Sequence, residues 1–302
     1  MTEYTHRPVL VEEVVKYLIT KKDGTYVDCT AGEGGHSEAI LKRLEKGGRL
    51  VGIDCDATSL CVANERLKGY NNWVSINENF INIHKVLDRI NIRAIDGVLF
   101  DLGFSSFQME NHKRGFSFNY EGPLDMRMSR KGDSSRAWDL VNRLPFEELR
   151  KIIREYGEEF RASRIARAIV RFRQKKTIDT TVELSNLIEN AIPRRSRIHP
   201  ATRTFQALRI AVNNELENLR KGVAAATGVL NPDGRICVIS FHSLEDRIVK
   251  NTFRDSPVLK VVTKKPITAL EDEVKINPRS RSAKLRAAEK KQTSDIRHQE
   301  KK

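Results

Sequence analysis

Asp28-Cys29-Thr30-Ala31-Gly32-Glu33-Gly34-Gly35-His36 is the stretch whose reading decides the fold. It ends Thr25-Tyr26-Val27-Asp28-Cys29-Thr30, a short β-prone run entered from the Asp23-Gly24 turn. It leads into Ser37 to Leu44, which reads as a helix closed by Gly47-Gly48. Glycines let the chain turn sharply from strand to helix and leave room for a ligand to approach the backbone. Arg49 to Asp54 then reads as a second strand that ends in an acid, so the segment is β-loop-α-β.

The alternation extends in both directions. Val9 to Leu18 carries apolar residues at helical spacing. Asp56 to Leu67 reads as a helix, Trp73 to Ile76 as a third strand, Phe80 to Ile90 as a helix and Ile95 to Asp101 as a fourth strand. Strands alternating with helices predict an α/β fold with a parallel, doubly wound sheet. The pattern stops at Gly103 to Met128, which is polar and glycine-bearing, and Asp139 to about Ile192 is rich in helix formers and arginine. It resumes with Thr202 to Ala226, read as one long helix. A turn at Asn231-Pro232-Asp233-Gly234, the apolar strand Arg235 to Phe241 and a further strand at Leu259 to Thr263 follow. The expected organisation is a discontinuous core of residues 1–107 and 202–302 around an inserted, mainly helical domain of residues 108–201. The charged tail from Asn277 to Lys302 is expected to be mobile outside the core.

Composition bounds the partners. The chain of 302 residues, 39% hydrophobic, is long enough to bury a real core. The absence of a signal-like N-terminus or a long apolar run points to a cytoplasmic protein without a membrane partner. Cys29, Cys55, Cys61 and Cys237 are scattered, with no CxxC or Cys/His pair, which argues against a structural metal or a disulfide framework. With 54 Lys+Arg against 40 Asp+Glu, the formal charge of +14 favours a polyanion, although solubility alone would also account for it.

The glycine loop by itself implies only a nucleoside-like ligand. A dinucleotide fingerprint would place a third glycine at position 37, where this chain has Ser37, and NAD loses ground. Asp28, just before the turn, is placed to receive an ammonium group, which S-adenosylmethionine carries where a dinucleotide carries phosphates. Asp54 is placed for ribose hydroxyls. Asp101 closes the fourth strand, at the edge where an open α/β sheet binds ligands. An exocyclic amine of cytosine is a weak nucleophile that needs positioning more than activation. Acceptors such as Asp101 or carbonyls of the Gly103 to Ser106 turn suit it, with Ser105 a further candidate. Methylation at C5 would need a thiolate, and none of the four cysteines sits in a loop after the fourth strand. Phe241-His242-Ser243-Leu244-Glu245-Asp246-Arg247 follows a strand expected beside the fourth. His242 and Ser243 are candidates for substrate contact, and Ser243 reads equally well as a helix cap.

Within the insert, Arg161, Arg164, Arg167 and Arg171 recur every three or four residues, opposite Ile165, Ile169 and Phe172, and form a basic stripe for phosphate. Arg203 adds charge, as do Lys175, Lys176, Arg194, Arg195 and Arg197. Arg114 to Phe118 and Gly122 to Met128 mix basic, aromatic and flexible residues. They suit either an extruded base or, for Phe118 and Met126, attachment of the insert to the core.

These strings, together with His6-Arg7-Pro8-Val9-Leu10, Asp101 to Ser106, His199 to Arg209, Phe241 to Lys250 and Asn277 to Arg286, make the chain resemble the ribosomal RNA small subunit methyltransferase H, or MraW, family. The resemblance implies a class I, Rossmann-like, S-adenosylmethionine-dependent methyltransferase fold with an inserted helical domain. It implies N4-methylation of a cytidine in the decoding region of 16S rRNA, with the small ribosomal subunit as partner; whether the enzyme is a homodimer stays open. By motif position it puts cofactor contacts on Gly34, Gly35, His36, Asp54, Phe80, Asp101 and Gln108. Asp28 rests on the ammonium argument alone. Phe107 stands where many relatives have proline. The rival readings are a nucleotide-binding ribosome assembly factor without chemistry, and a dehydrogenase.

Overall fold

A computed structural model describes residues 8–103, 109, 111–129, 134–192, 198–292 and 294. The chain divides into two compact units, Met1–Gly103 with Leu216–Lys302, and Phe104–Glu215.

In the first unit the helix α1 (Val11–Leu18) precedes β1 (Thr25–Asp28), α2 (Gly35–Leu41), β2 (Arg49–Asp54), α3 (Ala57–Leu67), β3 (Trp73–Asn77), α4 (Ile83–Arg89) and β4 (Ile95–Asp101). A short 3₁₀ turn, Phe80–Asn82, leads into α4, with Asn79 capping it by accepting from Ile81 N. Asp56 caps α3 by accepting from Thr58 N. These four strands pair in parallel in the order β3-β2-β1-β4. Because β4 lies on the far side of β1 from β2, the connections diverge above β1 and β4 and open a crevice at their carboxyl ends. Strands β1 and β4 are buried almost throughout, as a sheet covered on both faces requires.

Two apolar clusters flank the sheet. One contains Val27, Ile53, Val98, Phe100, Val223 and Phe253, the other Tyr26, Leu50, Leu99, Ile239 and Leu285. At roughly 25 cal/mol for each Å² of apolar surface buried, such clusters are the main favourable term in forming this sheet.

After the second unit the sheet is rejoined through α10 (Glu215–Val229), β5 (Leu230–Ser240), α11 (Ser243–Asp255), β6 (Leu259–Val261), β7 (Ile267–Thr268), α12 (Glu271–Ile276) and β8 (Lys284–Lys290). Strand β5 extends the parallel set beside β4, and the Asn231 to Gly234 turn is absorbed as an irregularity in that pairing. Strand β8 is antiparallel and lies between β5 and β6. This corrects the expectation of a tail outside the core. Leu285, Arg286, Ala287 and Ala288 are buried, and the Arg286 guanidinium pairs with Asp246 at 2.7 Å.

The second unit is helical, with α5 (Ala137–Arg143), α6 (Phe146–Gly157), α7 (Ala162–Arg173), α8 (Thr181–Ala191) and α9 (Thr202–Asn213). Its core includes Met126, Ile153, Ile165, Ile169, Ile188, Phe205 and Leu208. The single long helix expected from Thr202 to Ala226 is two. Asn214 adopts a left-handed conformation (φ 55°) that ends α9, and the unit boundary follows one residue later. Helix α9 packs along α6, so residues assigned by sequence to the sheet domain belong to the helical unit.

Candidate functional site

Three carboxylates close neighbouring strands at one edge of the sheet: Asp28 on β1, Asp54 on β2 and Asp101 on β4. The glycine loop is stitched to that edge. Ala31 N donates to Ile53 O at 3.0 Å, Gly34 N to Ala31 O at 2.8 Å, and Asp101 N to Thr30 Oγ1 at 2.6 Å. Gly34 has φ 81°, and a Cβ there would stand 3.2 Å from Ala63 and Leu67; at Gly35 it would meet Pro8. Packing disfavours a side chain at both positions, and at Gly34 the left-handed backbone does so as well. Gly32 (φ 50°) borders open space, where a Cβ would meet nothing closer than 3.8 Å.

The three acids differ in what they can still bind. Asp28 is 1% exposed; Ser37 Oγ donates to one oxygen at 2.7 Å and Thr30 N to the other at 3.2 Å. Burial raises its pKa despite these bonds. It anchors the loop, and its surroundings do not favour the ammonium contact expected of it. Asp54 accepts from Gly32 N and Asp56 N at 2.8 Å each, one bond to each oxygen. A carboxylate has about four acceptor positions, so lone pairs remain for two hydroxyls. Burial lifts the Asp54 pKa to about 6, against the pull of those two backbone donors.

Asp101 is partly exposed, and its Oδ1 is buried without a hydrogen-bond partner among the described residues. Its Oδ2 lies 3.4 Å from His36 Nε2, an ion-pair distance without hydrogen-bond alignment. His36 is 5% exposed; burial opposes its charge, but Asp101, with Asp28 and other acids, outweighs this, and its pKa is raised. Glu273 contributes in the same direction and accepts from Leu10 N at 2.8 Å, so α12 reaches the segment that packs on Gly35. Sequence reasoning missed Glu273 and Thr30; nothing local marks a residue 263 positions from its partner.

Phe80 packs edge-on against Phe100 with centroids 5.3 Å apart, and its ring lies so close to Gly222 that a Cβ there would stand 2.4 Å away. It is a partly buried member of the core at the crevice side of β3. Beyond β5, His242 is the N-cap of α11, accepting from Glu245 N at 3.3 Å. This corrects the expectation that Ser243 is the cap. Glu245 answers by accepting from Phe241 N and His242 N, which completes a capping box with histidine in the usual serine place. Ser105 and Gln108 lie outside the described residues, as do Arg194, Arg195 and Arg197.

In the helical unit, Arg164, Arg167 and Arg171 are exposed along α7, and neither Arg164 nor Arg171 has an ion-pair partner among the described residues. Arg203 is partly committed, donating to Glu158 O at 3.1 Å. Arg114 is buried and donates to the Arg127 and Met128 carbonyls. Phe118 stacks on His199 and packs against Phe205, and Met126 is 1% exposed. These residues hold the helical unit's own core together, which corrects their assignment as an attachment to the sheet. Among the described residues no helix is long and apolar enough to cross a membrane.

An open sheet ordered β3-β2-β1-β4-β5-β8-β6, with β8 antiparallel and acids at the switch-point edge, defines the class: a Rossmann-like S-adenosylmethionine-dependent methyltransferase fold with a helical insertion. The edge suits that cofactor, offering an orphaned buried carboxylate oxygen on Asp101, spare acceptor positions on Asp54 and open space at Gly32. The profile of the MraW methylase family matches residues 3–291, and the chain belongs to that family. It is 48% identical to the ribosomal RNA small subunit methyltransferase H of Halothermothrix orenii, over 94% of this chain and 98% of that one. It is 46% identical to the protein of that name from Clostridium botulinum strain Kyoto, over 95% and 99%. A solved rRNA methylase from Streptococcus thermophilus aligns over 93% of this chain and 94% of its own, with 12% identity and a TM-score of 0.44.

Proposed function

We propose that this methyltransferase transfers a methyl group from S-adenosylmethionine to the exocyclic N4 of a cytidine in the decoding region of 16S rRNA, within the small ribosomal subunit. The observation that carries the reading is Asp101 Oδ1, a buried acceptor with no hydrogen-bond partner among the described residues, at the switch-point crevice beside His36. The likeness over nearly full length to proteins named for small-subunit ribosomal RNA supports the substrate.

In this reading Asp54 accepts the ribose hydroxyls, Gly32, Gly34, Gly35 and His36 line the cofactor loop, and Phe80 flanks the adenine. When bound, the cofactor supplies an electrophilic methyl group on a sulfonium. The protein's part is to hold the amine in line and accept its hydrogen. Asp101 Oδ1 accepts a hydrogen bond from one N–H of the amine, which turns the nitrogen lone pair outward, and would take up that proton as the N–C bond forms and the methyl–sulfur bond breaks to leave a neutral thioether. His36 Nε2 stands 3.4 Å from Asp101 Oδ2 and holds the carboxylate at the crevice. Covalent attack on the ring finds no support in the buried thiols, since burial raises Cys29 well above the ordinary thiol value and Cys237 to about 12. Arg164, Arg167, Arg171 and, less freely, Arg203 supply phosphate contacts on the helical unit.

Incubating the protein with methyl-labelled cofactor and undermethylated small subunits, then mapping the label by nuclease digestion and mass spectrometry, tests the assignment. Label on N4 of a single cytidine is expected, and Asp101→Ala is expected to lose at least about a hundredfold in transfer rate while binding RNA as before. Cofactor binding without any label would instead indicate an assembly factor without chemistry.

A further inference from the structure

Phe160 is 78% exposed, the most exposed of the large apolar side chains among the described residues. It is held there by a built turn. Glu158 is left-handed (φ 47°) at the end of α6, and its carbonyl accepts from Arg203 at 3.1 Å. The next residue, Glu159, is 4% exposed, and its carboxylate accepts from Arg161 N at 2.8 Å, with Arg203 at 3.9 Å. These ties fix the backbone on both sides of position 160 and leave its ring pointing away from the core. The Arg154 guanidinium lies over the ring, 4.8 Å from the centroid.

Phe160 also has a place in a series. Phe160 lies in the turn just before α7, which begins at Ala162, and Arg164, Arg167 and Arg171 follow on that helix at spacings of three and four that place them on one side of it. From Arg164 to Arg171 the helix rises about 10 Å at 1.5 Å per residue. An aromatic face heading a line of exposed arginines combines the two elements by which proteins hold unpaired nucleic acid: a π-surface for a base and charge for the phosphates that follow. A second copy of this chain would gain little from such a face, since like charges would meet across the contact.

We propose that Phe160, backed by Arg154, is a stacking platform for one unpaired RNA base, whose neighbouring phosphates run along Arg164, Arg167 and Arg171. This rests on the reading of RNA as substrate and names a contact of that substrate outside the methyl-transfer crevice.

The full-length protein should be titrated, without cofactor, with a labelled single-stranded RNA oligonucleotide and with a duplex of the same length. Phe160→Ala is expected to weaken single-strand binding about tenfold, within the ~1–3 kcal/mol typical of a base–aromatic stack, and to leave duplex binding nearly unchanged. Phe160→Trp is expected to retain affinity, with fluorescence quenched on binding relative to the wild type, which has Trp73 and Trp138 only. Unchanged single-strand affinity in Phe160→Ala, full affinity in Phe160→Leu, or a change in oligomeric mass in Phe160→Ala would each overturn the proposal. A wild-type protein that binds no RNA would defeat the substrate reading itself. Wild-type binding that the alanine variant matches defeats only the platform.

Discussion

At the end of β2, burial lifts Asp54 to about pH 6 even though two backbone donors favour its charge. Only the ionised form presents acceptors alone to a ribose, so cofactor affinity should rise through pH 6. Its dissociation constant, measured by calorimetry, is expected to fall about tenfold between pH 5 and pH 7. The stability of the ligand-free protein runs the other way. A raised pKa means the folded state holds the proton longer, so this contribution is complete below the ordinary aspartate value and is lost as pH rises through about 6. His36 and Asp28 are also raised, so the decisive variant is Asp54→Ala, whose weak binding should lose the pH dependence; an unchanged profile would assign it elsewhere. Asp54 and Asp101 were legible in the sequence because an acid closing an apolar strand after a glycine loop has a determined place at the sheet edge. Which acid remains free was not, because the Ser37 hydroxyl and Thr30 amide that occupy Asp28 are a tertiary matter.

Strand β8 shows the limit of sequence reading at the level of elements. Lys284-Leu285-Arg286-Ala287-Ala288-Glu289-Lys290 lacks the β-branched and aromatic residues that favour strands, and its charges suggest a solvated tail. Pairing on both sides makes it a strand: β5 and β6 satisfy its backbone, and alanines fit where larger side chains would crowd the covering layers. Arg286 is tolerated inside because Asp246 meets it with two oxygens, at 2.7 and 3.3 Å. Arg286→Ala leaves Asp246 largely buried with, among the described residues, the more distant Lys284 at 3.8 Å as its ion-pair partner. The expected loss is about 3 kcal/mol, read as a lower urea midpoint for the sheet unit; a change under about 0.5 kcal/mol would place the pair in the class of exposed bridges. The break between α9 and α10 was hidden for a related reason. The apolar periodicity runs on through Asn213-Asn214, and only the left-handed Asn214 marks the stop.

For the molecule as a whole, the excess of 54 basic over 40 acidic side chains states that a polyanion is a suitable partner but not where it binds. The structure distributes the candidate tasks. Acids and glycines that suit a nucleoside gather at the edge of one unit, and the exposed arginine row lies on a helix of the other. Chemistry and RNA affinity should therefore respond to different substitutions. Replacing Arg164, Arg167 and Arg171 together by alanine removes three phosphate contacts in the proposed reading. For single-stranded RNA each contributes about 0.7 to the slope of log affinity against log salt, so the slope should flatten by about 2. KM for the subunit should rise more than tenfold at 0.15 M salt, with kcat and cofactor affinity within about twofold of the wild type. Asp101→Ala should show the reverse pattern, a collapsed kcat with an unchanged salt slope. If the triple variant instead lost kcat at an unaltered slope, the arginine row would serve the geometry of the reacting site, and the RNA surface would have to lie elsewhere on this basic chain.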